Sequence, residues 1–282
     1  MTQLALGKLN KLAVKKQVEF GVYLDGLSWG DILLPKRYVP AGTEIGTVLE
    51  VLLYLDSEDQ LIATTEKPYV MVGQVAQLKA VAITKVGAFL NWGLKKDLLV
   101  PFSEQQIPMQ LDKYYLVYCY VDKSNRIVAS AKLDRYIGKE TPNYQPGDEV
   151  QFYVASQTDL GYKVVVDHQH WGLLYKNQVF KPLRIGYKGT AYVQKMRDDF
   201  RIDLMLDKPG YEKAQAFTDV ILERLKHKGG SLPISDKSTP EQIYGEFGVS
   251  KKMFKQAIGA LYKAGKIVIE AEAIRLTQTQ SN

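Results

Sequence analysis

The chain contains very little cysteine and histidine. Of its 282 residues, one is cysteine and three are histidine. A single cysteine excludes a disulfide framework within the chain and a zinc site built on several cysteines. Because Cys119 stands in an alternating run of apolar residues, we expect its thiol to be buried on a strand.

Long apolar runs are also missing. No run approaches the ~18 residues that a membrane-spanning helix needs. Residues 1–16 include lysines but lack the apolar core and small-residue cleavage site of a signal peptide. These absences predict a protein of the reducing cytoplasm that has no membrane partner.

A repeat of about one small domain dominates what is present. Phe20-Gly21-Val22-Tyr23-Leu24 returns as Val86-Gly87-Ala88-Phe89-Leu90, so that Gly21 corresponds to Gly87 at an offset of 66. A weaker third copy follows at a further offset of 74, which carries Gly87 onto Gly161. Self-similarity at a nearly fixed period indicates one structural unit present three times.

Each copy is expected to form a small barrel. In the second copy, five short apolar or alternating segments between residues 72 and 130 are separated by turn signals. That pattern predicts a five-stranded barrel. Residues 132–145 contain Thr141-Pro142-Asn143 and Pro146 follows them, which indicates a linker before the third copy.

The C-terminal part has a helical period instead. Thr239-Pro240-Glu241-Gln242 is a helix start with a capping residue, proline in the first turn and glutamine three residues after the cap. Ser250 caps another helix that runs to about Lys263, and two short apolar segments follow. An apolar helical stripe from Ala216 to Leu225 and a short extended stretch from Ser231 to Ile234 precede these helices. The resulting order of helix, short strand, helix, turn, helix and hairpin is that of a winged helix.

The repeated segments resemble a known RNA-binding module. Val86 to Leu90, Leu98 to Glu104 and Arg126 to Ser130 are similar to the S1 domain, an OB fold. The resemblance implies three tandem S1-like OB-fold barrels. With the winged-helix domain that the C-terminal element order predicts, the expected fold is mainly β with a C-terminal α+β domain. The predicted domains are 1–65, 66–134, 142–208 and 212–282.

The whole chain resembles one bacterial family. Residues 238–244 and 247–263, placed after three S1-like units, are similar to the conserved virulence factor B family. That resemblance implies binding of single-stranded RNA through the barrels and post-transcriptional control of gene expression. It supplies no catalytic residue set and no cofactor.

Aromatic and basic side chains on the barrels are the candidate RNA contacts. Exposed rings stack on bases and cations neutralise phosphates, the two requirements of a single-strand groove. The alternatives are rings that fill the barrel cores and lysines that only face solvent. The candidates are Phe20, Tyr23, Phe89, Trp92, Arg126, Tyr175, Lys176, Lys181, Arg184, Lys188, Lys195 and Arg197.

The winged helix offers a second candidate contact. Lys251, Lys252 and Lys255 open its third helix, the element that usually enters a major groove. The first turns lack arginine, asparagine and glutamine for bidentate base reading. This favours backbone contact or domain packing over sequence-specific reading, although a DNA-binding regulator remains an alternative function with DNA as a possible partner.

An enzyme, for example a nuclease, is the least favoured alternative. The four small modules leave no segment for a catalytic core, and Asp167-His168-Gln169-His170 is the only metal-like cluster. One such cluster falls short of the carboxylate-rich pair of sites that two-metal nucleases use. We therefore expect a monomeric binding protein without a metal.

Overall fold

The computed structural model describes residues 4–176, 179, 182–206 and 211–277. The first barrel contains β1 (Leu9–Val18), β2 (Gly21–Asp25), β3 (Asp31–Pro35), β4 (Val48–Leu55) and β5 (Leu61–Thr64). These strands close in the order β1-β2-β3-β5-β4. β3 and β5 run parallel, with Leu33 opposite Ile62, and the other described pairs are antiparallel. This is the closed five-stranded topology of an OB fold.

The second and third repeats have the same topology. The second barrel contains β6 (Val75–Thr84), β7 (Gly87–Asn91), β8 (Leu98–Pro101), β9 (Tyr114–Val121) and β10 (Ile127–Ser130). The third contains β11 (Glu149–Gln157), β12 (Gly161–Val166), β13 (His170–Tyr175), β14 (Lys188–Met196) and β15 (Ile202–Met205). Both close in the first barrel's order, so the three-barrel prediction is confirmed.

The C-terminal domain is the predicted winged helix. It consists of α1 (Tyr211–His227), β16 (Ser231–Leu232), α2 (Pro240–Phe247), α3 (Lys251–Lys263), β17 (Ile267–Ile269) and β18 (Ile274–Leu276). Thr239 and Gln242 form a capping box at the start of α2, and the Ser250 side chain caps α3. Within the described ranges, no helix has both the length and the apolar character to cross a bilayer.

Three equivalent glycines close the three barrels at the same point. Gly21, Gly87 and Gly161 begin the second strand of their barrels with φ near +150°. A Cβ on each would overlap the carbonyl oxygen of Leu34, Val100 or Leu174, on the neighbouring strand. Only glycine combines this backbone conformation with so close an approach, which explains why the repeat keeps it.

The chain divides into two compact units, residues 1–140 with 185–187, and residues 141–184 with 188–282. Within the first unit, barrels one and two share a hydrophobic core. Leu52 and Tyr54 of β4 belong to the same buried cluster as Val70 and Leu98 of the second repeat. The Val72 amide also donates to the Gly7 carbonyl at 3.0 Å. Barrels one and two are therefore a packed pair rather than beads on a flexible linker.

Candidate nucleic-acid interface

An aromatic pair lies on the first barrel where β2 begins. Phe20 is 58% exposed, and Tyr23 is half-buried on β2. Their ring centroids are 6.3 Å apart at 85°, an edge-to-face contact. Phe20 precedes β2 and Tyr23 lies on it, so the two rings meet on the strand pair that OB folds use for nucleic acid.

Barrel two carries the equivalent position on β7. Tyr23 is opposite Leu33 across β2 and β3, and Phe89 is opposite Leu99 across β7 and β8. Both rings are half-buried. The matching register shows that the repeat places one ring at the same point on two barrels.

A cavity of about 390 Å³ opens on this face of barrel two. We call it the two-barrel pocket. Its walls include the half-buried Phe89 and Leu99 and the exposed Val86 of barrel two. The turn between β4 and β5 of barrel one forms another wall. Its lining includes Tyr54, Asp59, Phe89, Asp97 and Arg126.

Two cations bind the barrel-one turn to barrel two beside this pocket. Arg126 Nη2 lies 2.9 Å from Asp59 Oδ2. The Lys96 ammonium donates to the backbone oxygens of Leu55, at 3.1 Å, and Asp56. The sequence predicted Arg126 but not Lys96 or Asp59, because both depend on how the two barrels pack.

Burial changes the titration of two pocket side chains. Desolvation is the main cause that raises the pKa of Tyr54 to about 12, with Tyr38 contributing next. Desolvation also raises the pKa of the Asp97 carboxyl above its ordinary value. Both groups therefore favour their neutral forms more than they would in water.

Trp92 is a correction to the predicted set of stacking rings. Its side chain is 3% exposed and belongs to the core cluster of barrel two. Its indole N–H donates to the Lys96 carbonyl. A ring enclosed in this way supports the pocket wall and offers no free face for a base.

Barrel three has a cation where the other two have a ring. Lys163 is opposite Leu173 across β12 and β13, the register of Tyr23 and Phe89. Its ammonium lies 3.7 Å from the centroid of the Trp171 ring, a cation–π contact. Neither residue was among the sequence candidates, although the second repeat offset, applied to Phe89, leads to Lys163.

The end of β13 forms a small charged cluster. The Tyr175 hydroxyl donates to the Asp203 carboxylate, 3.3 Å from each oxygen. Desolvation first and Asp203 second raise the pKa of Tyr175. Arg197 Nη1 lies 3.9 Å from Asp203 Oδ1, and Lys195 is the cross-strand neighbour of Asp203. The structure thus brings Tyr175, Lys195 and Arg197 together.

The other basic candidates of barrel three are more scattered. Lys188 lies over the Tyr153 ring at 5.7 Å, seven residues before Lys195 on β14. That separation is roughly 23 Å along a strand, so Lys188 is not part of the Asp203 cluster. Lys176 and Arg184 are exposed, and Lys181 lies outside the described residues.

Two of the three candidate lysines of the winged helix contact residues of their own domain. Lys251 donates from Nζ to the Ser238 carbonyl at 2.8 Å, and Lys255 Nζ lies 4.0 Å from Asp236. Lys252 is exposed and has no ion pair or side-chain hydrogen bond to other residues that the structure describes.

The metal-like cluster consists of a hairpin turn and the first residue of β13, His170. Asp167 and His168 have positive φ between β12 and β13. The Asp167 carboxylate accepts from the Tyr144 hydroxyl at 3.0 Å and from the backbone N–H of Gln151 at 2.9 Å. Among the described residues, no group of three histidine, cysteine, aspartate or glutamate side chains could hold a metal.

The domains match two known families. Residues 6–66 and 72–132 match the model of the S1 domain, and residues 219–276 match that of the CvfB-like winged helix domain. Together with the three closed barrels, these matches define a nucleic-acid-binding protein built from S1-type OB folds and a winged helix.

Two similar proteins align with most of this chain. The chain is 28% identical over 280 residues to the uncharacterized protein YitL of Bacillus subtilis, covering 94% of this chain and 91% of that protein. It is 26% identical over 251 residues to Conserved virulence factor B of Staphylococcus haemolyticus, covering 83% and 81%. The chain is thus similar, over most of its length, to proteins named Conserved virulence factor B, and it carries a winged helix of the CvfB-like type.

A solved structure also resembles the chain. It is a multidomain protein with nucleic acid binding domains from Streptococcus pneumoniae. The two chains are 22% identical with a TM-score of 0.42, and the match covers 96% of this chain and 98% of that one.

Proposed function

We propose that this protein binds single-stranded RNA and acts in post-transcriptional control of bacterial gene expression. In this proposal it works as a monomer in the cytoplasm and carries out no catalysis. The observation that carries the proposal is the shared position of Tyr23 and Phe89 on β2 and β7. Two copies of one stacking position, on barrels packed through a common core, suit one continuous strand.

The energetics of such a surface favour single strands. A base stacked on an aromatic ring contributes ~1–3 kcal/mol, and the bases must be unpaired to expose their faces. Each barrel alone gives a weak site. Because barrels one and two are packed together, binding at one holds the strand near the other and raises the overall affinity.

The winged helix supports this proposal less directly. Lys251 and Lys255 interact with Ser238 and Asp236 of their own domain. An exposed lysine such as Lys252 neutralises a phosphate but does not read a base. The barrels, rather than α3, are therefore the proposed contact that decides which nucleic acid binds.

Fluorescence anisotropy with a labelled single-stranded RNA tests the proposal. The full chain should bind. A plot of log affinity against log salt concentration should have a negative slope of about 0.7 for each phosphate neutralised. Duplex DNA of matched length should compete poorly. Tyr114→Ala is a suitable control, since Tyr114 is exposed on β9 outside the two-barrel pocket. A flat salt response, or preference for the duplex, would contradict the proposal.

A further inference from the structure

The two-barrel pocket contains one carboxylate that stands apart from its charged neighbours. Arg126 is paired with Asp59, and Lys96 donates to backbone oxygens of barrel one. Within the described part of the chain, the Asp97 carboxylate has no ion pair and no hydrogen bond. It is nevertheless half-buried in the pocket lining.

The equivalent carboxylate of barrel one has a partner that Asp97 lacks. In barrel one the equivalent residue is Asp31, and Lys15 Nζ lies 2.7 Å from its Oδ1. The first repeat offset carries Lys15 onto Val81 and Asp31 onto Asp97. Barrel two thus retains the acid without its lysine partner, in the barrel whose face is closed into a pocket.

The pocket has the size and walls of a small-ligand site. Its volume of about 390 Å³ lies within the ~300–1,000 Å³ of such sites. Phe89 and Leu99 give it apolar surface, against which a flat base can stack. A half-buried carboxylate in such a wall is stabilised when a ligand donates hydrogen bonds to it.

We propose that the two-barrel pocket holds one base of the bound strand and that Asp97 selects bases presenting N–H donors, guanine above all, over uracil. This inference rests on the proposed function, since it assigns a base preference to the same surface. Guanine offers two adjacent N–H groups on its Watson–Crick edge, which the two oxygens of one carboxylate accept. Uracil offers one N–H between two carbonyl oxygens, and those oxygens repel a carboxylate.

Anisotropy titration of the full chain tests this selection with three single-stranded RNA probes. One contains only uracil, one has a single central guanine, and one has inosine in place of that guanine. Good bidentate recognition discriminates by ~1–3 kcal/mol, so the guanine probe should bind at least about 5-fold more tightly than the uracil probe. Inosine lacks the 2-amino group and should lose part of that gain.

Two variants locate the preference. Asp97→Asn removes the carboxylate that would accept from guanine and repel the uracil oxygens, and it should lose the guanine preference. Asp31→Asn changes the paired carboxylate of barrel one and should keep it. If the parent chain shows no guanine preference, or Asp97→Asn retains it, the inference is overturned while salt-dependent binding of the uracil probe leaves the proposed function standing. If the chain binds none of the probes, both the inference and the proposed function are overturned.

The probes keep the test decisive if Asp97→Asn does not fold. The comparison of guanine, inosine and uracil uses the unmodified protein and needs no variant. Equal affinity for the three would overturn the inference, and the order guanine, inosine, uracil would support it.

Discussion

Arg126 of barrel two forms a 2.9 Å ion pair with Asp59 of barrel one. Both side chains are about half exposed, so the pair contributes only about 0–1 kcal/mol to stability. Its larger effect is on charge, because Asp59 neutralises an arginine of the pocket lining.

Asp59→Asn should therefore strengthen binding of single-stranded RNA. The freed guanidinium of Arg126 can neutralise one phosphate, which makes the log–log salt slope steeper by about 0.7. The free energy of unfolding should change by less than about 1 kcal/mol. Asp112→Asn breaks the exposed ion pair with Lys79, whose residues are not in the pocket lining, and should leave the slope unchanged. Weaker binding by Asp59→Asn would refute this role for Arg126.

Replacing the glycine that opens β7 should destabilise the chain. In Gly87→Ala the new Cβ meets the Val100 carbonyl oxygen, and φ lies near +150°. Backbone strain of this kind costs of order 1–3 kcal/mol, measured by urea unfolding. Gly259→Ala is the control, since it lies in α3 with open space around its Cβ position. Equal stability of Gly87→Ala and the parent would show that the close approach is not restrictive.

The thiol of Cys119 should be unreactive in the folded protein. The side chain is buried, and desolvation raises its pKa to about 12. Because the thiolate is the reactive form, a thiol-reactive chromophore should report no reaction near pH 8 and one thiol per chain after denaturation. The unfolded thiol ionises first as pH rises, so this group's contribution to stability is lost between about pH 9 and pH 12. Rapid labelling of the native chain would contradict the buried position.

Barrel three should contribute charge more than base selection. Lys176 and Lys195 are exposed near the end of β13 and on β14. Replacing both by alanine should flatten the log–log salt slope by about 1.4, or 0.7 for each phosphate that is no longer neutralised. The double variant of Lys113 and Lys139, exposed on the first unit, controls for net charge. An equal change of slope in both double variants would mean that binding depends on net charge and not on where the lysines lie.

Much of the fold follows from local sequence. Alternating apolar residues and the repeated glycine predict each barrel, because strand period and close approach are local properties. Capping residues such as Thr239 and Ser250 locate α2 and α3. The domain limits at 65, 134, 142, 208 and 212 stay a prediction, which limited proteolysis can test.

The candidate site could be predicted from the sequence only in part. Trp92 and Phe89 are both aromatic, and only packing decides that the Trp92 ring is buried in the core while the Phe89 ring stays partly exposed. The pocket itself needs a turn of barrel one to meet a face of barrel two. The sequence nonetheless distinguishes Asp97, because the first repeat offset aligns Lys15 with Val81 and Asp31 with Asp97.

The central claim is that the equivalent rings of Tyr23 and Phe89 bind unpaired bases. Its most direct test is the affinity of Tyr23→Ala/Phe89→Ala for single-stranded RNA, compared with the parent and with Tyr114→Ala. Loss of stacking at ~1–3 kcal/mol per ring predicts at least about a 20-fold drop for the double variant, with little change for the control. An unchanged affinity in a folded double variant would contradict the account.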